Sequence, residues 1–166
     1  IGNKDISDIN NIVGTDDEEL ILNYEKSFSK LVGDGGSVSF ATGRMGFYAL
    51  MKICGVGKGD EIIINGATCS VMVNAILRCG ATPVYSDIDS NTFGSSSHSI
   101  KECLTIRTKM VVAQHSFGIP CEIDLISDIC KKARVFLLED CALALGSKLY
   151  NINVGTFGDA SLFSTD

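Results

Sequence analysis

Short, uninterrupted apolar runs alternate with segments of helical period along this chain, and that alternation narrows the fold more than any other feature. EIIIN (61–65), KMVVAQ (109–114) and VFLLE (135–139) are of strand length and apolar almost throughout, the pattern of strands covered on both faces. Between them MGFYALMKIC (45–54), SVMVNAILRC (70–79) and EIDLISDICKKA (122–133) place apolar residues at helical spacing, and a short helix around IKECL precedes KMVVAQ. SVSFA (37–41), TPVYSDI (82–88) and ASLFST (160–165) read as further strands, and KLYNINVG as a small hairpin. Near the start, Thr15 and Glu18 have capping-box spacing ahead of Leu20, Tyr24, Phe28 and Leu31, and Gly33 closes that helix. Strand followed by helix, repeated, predicts an α/β fold of three layers, a mostly parallel sheet with helices on both faces. No linker and no internal repeat divides residues 1–166, which are expected to belong to one domain.

Charge and cysteine usage remove several function classes. A net charge of −6 argues against a nucleic-acid partner, which would meet a basic face. No apolar run approaches the roughly 20 residues of a membrane span, and the first residues carry no signal-peptide pattern. The seven cysteines stand singly at 54, 69, 79, 103, 121, 130 and 141, with no C-x-x-C pair. That spacing suits neither a disulfide framework nor a metal site, and a reducing cytoplasm is the expected compartment. The sequence reaches Asp166 within a strand-like segment, so we expect it to be part of a longer protein.

In open parallel sheets ligands lie outside the carboxyl ends of the strands, which directs attention to Thr42–Met45, Asn65–Ser70, Gln114–Gly118, Glu139–Leu143 and Ser164. Gly55, Gly57 and Gly59 look superficially like a dinucleotide fingerprint, but they follow a helix and precede a strand, the reverse of the required order. A helix end and turn is the expectation there. Thr42-Gly43-Arg44 follows a strand-like run and opens a helix. Free N–H groups, a hydroxyl and a guanidinium could bind a phosphate at that point, or the turn could be a plain helix cap with a solvated arginine. Glu139 and Asp140 end the most buried-looking strand, and buried carboxylates need partners. Either they cap a helix or pair with a lysine or arginine, or one of them faces a cationic ring nitrogen and keeps it protonated. His115 lies on the same edge, where a structural hydrogen bond is the commoner role. His98 is expected in solvent.

Taken in order, TGRMGFYAL, GVGKGDEIIINGATCSVMVNAI, GATPVYSDID, HSFGIPCEID and LLEDCALALGSKLYNINVGTFGDASLFS resemble the pyridoxal-phosphate-dependent sugar aminotransferases of the DegT/DnrJ/StrS type, of fold type I. The resemblance runs from about residue 30 to 166 and rests on the combination of blocks. It implies that this chain is the amino-terminal portion of the large, cofactor-binding domain. Thr42, Gly43 and Arg44 would hold the phosphate of pyridoxal 5'-phosphate, with Ser164 also on the phosphate. Cys69 would lie at the position that stacks on the pyridine ring, Ala142 close to that ring, and Asp140 on the ring nitrogen as the catalytic carboxylate. The lysine that carries the cofactor would follow Ser164, beyond the last residue of the sequence, as would the carboxy-terminal domain. Three positions depart from the family pattern. Leu143 stands where a glutamine is usual, Arg44 where a small hydroxyl residue is usual, and Cys69 where many members carry an aromatic.

The activity implied is transfer of an amino group from an amino acid, glutamate by resemblance, to a keto sugar that is nucleotide-linked. The protein implied is a cytoplasmic homodimer without metal, nucleic acid or membrane. Two alternatives stay open at this point: a deoxysugar dehydratase using the same cofactor, and a non-catalytic relative that keeps the fold. The isolated 166-residue chain is expected to be inactive.

Overall fold

Every strand that the apolar runs predict from residue 61 onward forms, because each finds a neighbour that satisfies its backbone. The structure is a computed structural model that describes residues 17–33 and 35–164. It divides into two compact units, 1–39 and 40–166.

In the first unit α1 (Asp17–Val32) starts with Asp17, Glu18 and Glu19 and carries Lys30 in its last turn, charges that complement the helix dipole. The N–H of Gly33 donates to Ser29 O at 2.9 Å, closing the last turn. None of its residues is fully buried. Thr15, the expected cap, lies outside the described residues. The predicted strand at 37–41 does not form. The Ser39 N–H donates instead to Glu25 Oε1 at 2.6 Å and its hydroxyl to the same oxygen at 2.9 Å. A local carboxylate thus takes a backbone donor that a ladder would need.

The second unit is built on five strands: β1 (Glu61–Asn65), β2 (Thr82–Ser86), β3 (Thr108–Gln114), β4 (Phe136–Asp140) and β7 (Ala160–Leu162). They lie in the order β2-β1-β3-β4-β7, all parallel. A separate antiparallel hairpin joins β5 (Lys148–Leu149) and β6 (Ile152–Asn153) through Tyr150 and Asn151, both at positive φ, as a two-residue hairpin turn demands. Helices α2 (Gly43–Ile53), α3 (Ser70–Cys79), α4 (Ser97–Cys103) and α5 (Ile123–Ala133) cover the sheet.

Alternation along the strands sorts the core into two layers. Ile62, Ile64, Met110, Val112 and Leu138 pack with Phe47 and Met51 of α2 and Met72, Ala75 and Ile76 of α3. Ile63, Val111, Ala113 and Leu137 turn the other way, onto Ile100 of α4 and Ile123, Ile126 and Cys130 of α5. Continuous burial along β1 follows from having helices on both sides. The guanidinium of Arg78 also stacks over the Tyr48 ring, 5.0 Å from its centroid, and ties α3 to α2. Gly55 and Gly59 adopt positive φ between α2 and β1, a helix exit and turn. No helix of the described residues is long and apolar enough to cross a membrane.

Candidate functional site at the carboxyl edge of the sheet

Parallel strands all end on one edge, so residues far apart in sequence meet there. Thr42 caps α2 with extended backbone (φ −149°), and its Oγ1 accepts the Met45 N–H at 3.3 Å. Its carbonyl accepts from Met45 at 3.0 Å and Gly46 at 3.2 Å. The N–H groups that open α2, at Gly43 and Arg44, precede any intrahelical acceptor, and the Thr42 hydroxyl still has its proton to donate. Arg44 is exposed, and among the described residues it forms no ion pair.

The end of β7 lies against this turn, and β4 pairs with β7. Asp140 pairs in register with Leu162, and the Cys141 N–H donates to Leu162 O at 2.8 Å. The Leu162 side chain in turn stands 3.8 Å from the place a Cβ on Gly43 would occupy. The structure therefore brings together the Thr42–Arg44 turn, Asp140, and the exit of β7 that leads to the half-buried Ser164. Cys69 is exposed and caps α3 without a side-chain bond. Ala142 is half-buried and lies two residues past Asp140, whereas Leu143 is 67% exposed and presents no polar atom to this edge.

The two adjacent carboxylates have different surroundings. Glu139 is fully buried and receives four donors. Phe157 N–H (2.6 Å) and Gly158 N–H (2.7 Å) reach Oε1, while Gly155 N–H (2.7 Å) and His115 Nε2 (3.1 Å) reach Oε2. Four donors fill the four lone-pair positions of a carboxylate. Gly158 is required in this arrangement, since a Cβ there would stand 2.8 Å from Leu137 O. His115 is buried as well, and its Nδ1 accepts the Cys121 N–H at 3.1 Å. It makes the structural hydrogen bonds that sequence reasoning favoured.

Asp140 is 7% exposed and accepts one backbone bond, from Ala142 N–H at 3.1 Å. Burial pushes its carboxyl above the usual carboxylate range, and the Ala142 N–H and the nearby His115 pull the other way without offsetting it. No lysine or arginine of the described residues forms an ion pair with it. A cation placed at this edge would therefore meet an anion in need of one.

His115, Glu139 and Cys141 bring potential ligand atoms within 4.8 Å of one another. They do not make a metal centre. Glu139 has no lone pair left, and burial drives the Cys141 thiol far up, away from the thiolate a metal requires. Sequence reasoning missed the acceptor role of Glu139 toward the 155–158 loop, since both partners become adjacent only when β4 and β7 pair. It also missed Asn65, 1% exposed at the end of β1. Its Oδ1 accepts the Ala67 N–H at 2.7 Å, while its Nδ2 has no acceptor among the described residues.

A parallel α/β sheet thus carries on its carboxyl edge a helix-opening turn with free N–H groups and a buried carboxylate that accepts one backbone hydrogen bond. The chain belongs to the DegT/DnrJ/EryC1/StrS aminotransferase family, whose model it matches over residues 8–165. It is 36% identical over 146 residues to GDP-perosamine synthase of Escherichia coli O157:H7, covering 86% of this chain and 40% of that protein. It is 31% identical over 154 residues to UDP-N-acetyl-3-dehydro-alpha-D-glucosamine 3-aminotransferase of Acidithiobacillus ferrooxidans, covering 90% and 42%. Among solved structures, the aminotransferase TlmJ from Streptoalloteichus hindustanus superposes with a TM-score of 0.83 at 32% identity, over 88% of this chain and 40% of that one. The chain thus spans about 40% of the length of the first of these curated relatives. The fold is the type I fold of pyridoxal-phosphate-dependent transferases that the motifs imply.

Proposed function

We propose that this chain is the amino-terminal part of the cofactor-binding domain of a pyridoxal 5'-phosphate-dependent sugar aminotransferase. The observation that carries the proposal is Asp140: a buried carboxylate without a cationic partner among the described residues, set beside the open first turn of α2.

Two features support the fit of such a cofactor. Its ring nitrogen is a cation when protonated, which complements Asp140, and its phosphate is an anion, which complements the N–H groups of Gly43 and Arg44. Asp140 would hold the proton on the ring nitrogen, and Ala142 N–H would keep the Asp140 carboxylate turned toward it. Thr42, Gly43, Arg44 and Ser164 would share the phosphate. Cys69 and Ala142 would border the ring, with less contact area from Cys69 than an aromatic gives. When bound, the cofactor supplies the electron sink through which an amino group is moved. The GDP- and UDP-linked sugars in the relatives' names support a nucleotide-linked keto sugar as the substrate, and the family resemblance supports glutamate as the amino donor. A homodimer in the cytoplasm, with the cofactor-bearing lysine and the carboxy-terminal domain following Ser164, completes the proposal.

The test uses the full-length protein: addition of pyridoxal 5'-phosphate, borohydride reduction, digestion, and mass spectrometry of the peptides. A reduced label on a lysine shortly after Ser164 is the expected result. Cofactor that binds but escapes reduction would favour a dehydratase, and absence of binding would leave a non-catalytic relative.

A further inference from the structure

We propose that His115 is a positioning residue that holds Glu139, and with it the 155–158 loop, and the backbone of Asp140, so that the end of β4 presents Asp140 to the cofactor. The proposal rests on the cofactor reading above.

His115 is 1% exposed, and its backbone N–H and each ring nitrogen have one partner. Its backbone N–H donates to Asp140 O at 3.0 Å. Its Nδ1 accepts from the Cys121 N–H at 3.1 Å. A backbone N–H can only donate, so Nδ1 carries the lone pair and the ring hydrogen sits on Nε2. That hydrogen is directed at Glu139 Oε2, 3.1 Å away. The ring acts as one acceptor plus one donor.

Glu139 needs that fourth donor. Its other three come from Gly155, Phe157 and Gly158, in the loop that leads into β7. With all four in place the buried Glu139 is fully satisfied. The same bonds tie the 155–158 loop to the end of β4. That loop sets where β7 begins, and so the register that places Leu162 beside Asp140 and leads to Ser164. His115 touches neither the ring nor the phosphate in this arrangement. It acts through Glu139, and through the Asp140 carbonyl that its own N–H holds.

Two substitutions separate the roles. His115→Gln keeps an amide oxygen for Cys121 and an amide N–H for Glu139, while His115→Phe keeps the bulk and offers neither. In full-length protein, His115→Phe is expected to raise the dissociation constant for pyridoxal 5'-phosphate by about tenfold, because the loosened 155–158 loop and the end of β4 must then be ordered when the cofactor binds. It is also expected to shift the absorption maximum of the bound cofactor, and His115→Gln is expected to restore both. Nitrogen-15 spectra of the wild-type histidine rings should show a buried imidazole protonated on Nε2 alone, a readout independent of cofactor and of any variant's folding. A ring protonated on Nδ1, or unchanged affinity and spectrum in His115→Phe, would overturn the positioning role. Wild-type protein that fails to bind the cofactor while showing the Nε2-protonated ring would instead sink the cofactor reading.

Discussion

Glu139 and Asp140 are consecutive residues of one strand, yet the first receives four hydrogen-bond donors and the second receives one. Successive side chains of a strand leave on opposite faces, so the pair is split between the protein's own loop and the ligand edge. The split decides which carboxylate can change partners. Glu139 is a fixed part of the fold, while Asp140 is an anion held in place with bonding capacity to spare.

Asp140→Asn should separate stability from binding. The carboxyl is raised by burial, so the folded state holds its proton more tightly than the unfolded state. Stability from this group is therefore lost as pH rises from the unfolded value through the folded one, and at neutral pH the charged Asp140 costs stability. Cofactor-free Asp140→Asn is expected to melt at the same temperature as the wild type or higher. Its affinity for pyridoxal 5'-phosphate should collapse, as titration by fluorescence would show.

Glu139→Gln should behave in the opposite way. An amide offers one oxygen and turns its NH₂ toward N–H donors, so two of the four bonds are lost in a fully buried place. Urea unfolding is expected to report a loss of about 2–5 kcal/mol. A loss below half a kcal/mol would mean that the 155–158 loop is held by something else.

Arg44 is exposed and has no ion pair among the described residues, so its removal should not disturb the fold. If it faces the phosphate, Arg44→Ala weakens pyridoxal 5'-phosphate several-fold and leaves the affinity for pyridoxal, which lacks the phosphate, unchanged. Raising the ionic strength should shrink the difference between wild type and variant. Equal loss for both ligands would remove Arg44 from the phosphate turn.

Thiol reactivity offers a test that needs no turnover. Cys69 is exposed, while Cys79, Cys121, Cys130 and Cys141 are buried. Burial pushes the thiols of Cys121 and Cys130 up to about 12. Iodoacetamide on the native full-length protein should modify Cys69 first and leave Cys121 and Cys130 until denaturant is added. Bound pyridoxal 5'-phosphate should slow the reaction at Cys69. Equal rates with and without cofactor would place Cys69 away from the ring.

Local sequence pattern is enough for the elements from residue 61 onward and for the fold class. Uninterrupted apolar runs such as EIIIN have no side for water, so they must be covered on both faces, and short strands alternating with helices leave a parallel sheet as the economical answer. The pattern also puts Asp140 and Ser164 on one edge, because parallel strands all end there, whereas Thr42 opens its helix without a strand before it. Tertiary structure alone decided the rest. SVSFA has strand composition but no strand, since Glu25 takes the Ser39 N–H. Which of two neighbouring carboxylates is free, and which histidine nitrogen carries the proton, depends on Gly155, Phe157, Gly158 and Cys121 arriving from elsewhere in the chain. Hydrophobic pattern is a property of each residue and its near neighbours, and so can be read locally. Hydrogen-bond satisfaction is a property of pairs, and the partners meet only when the sheet has closed.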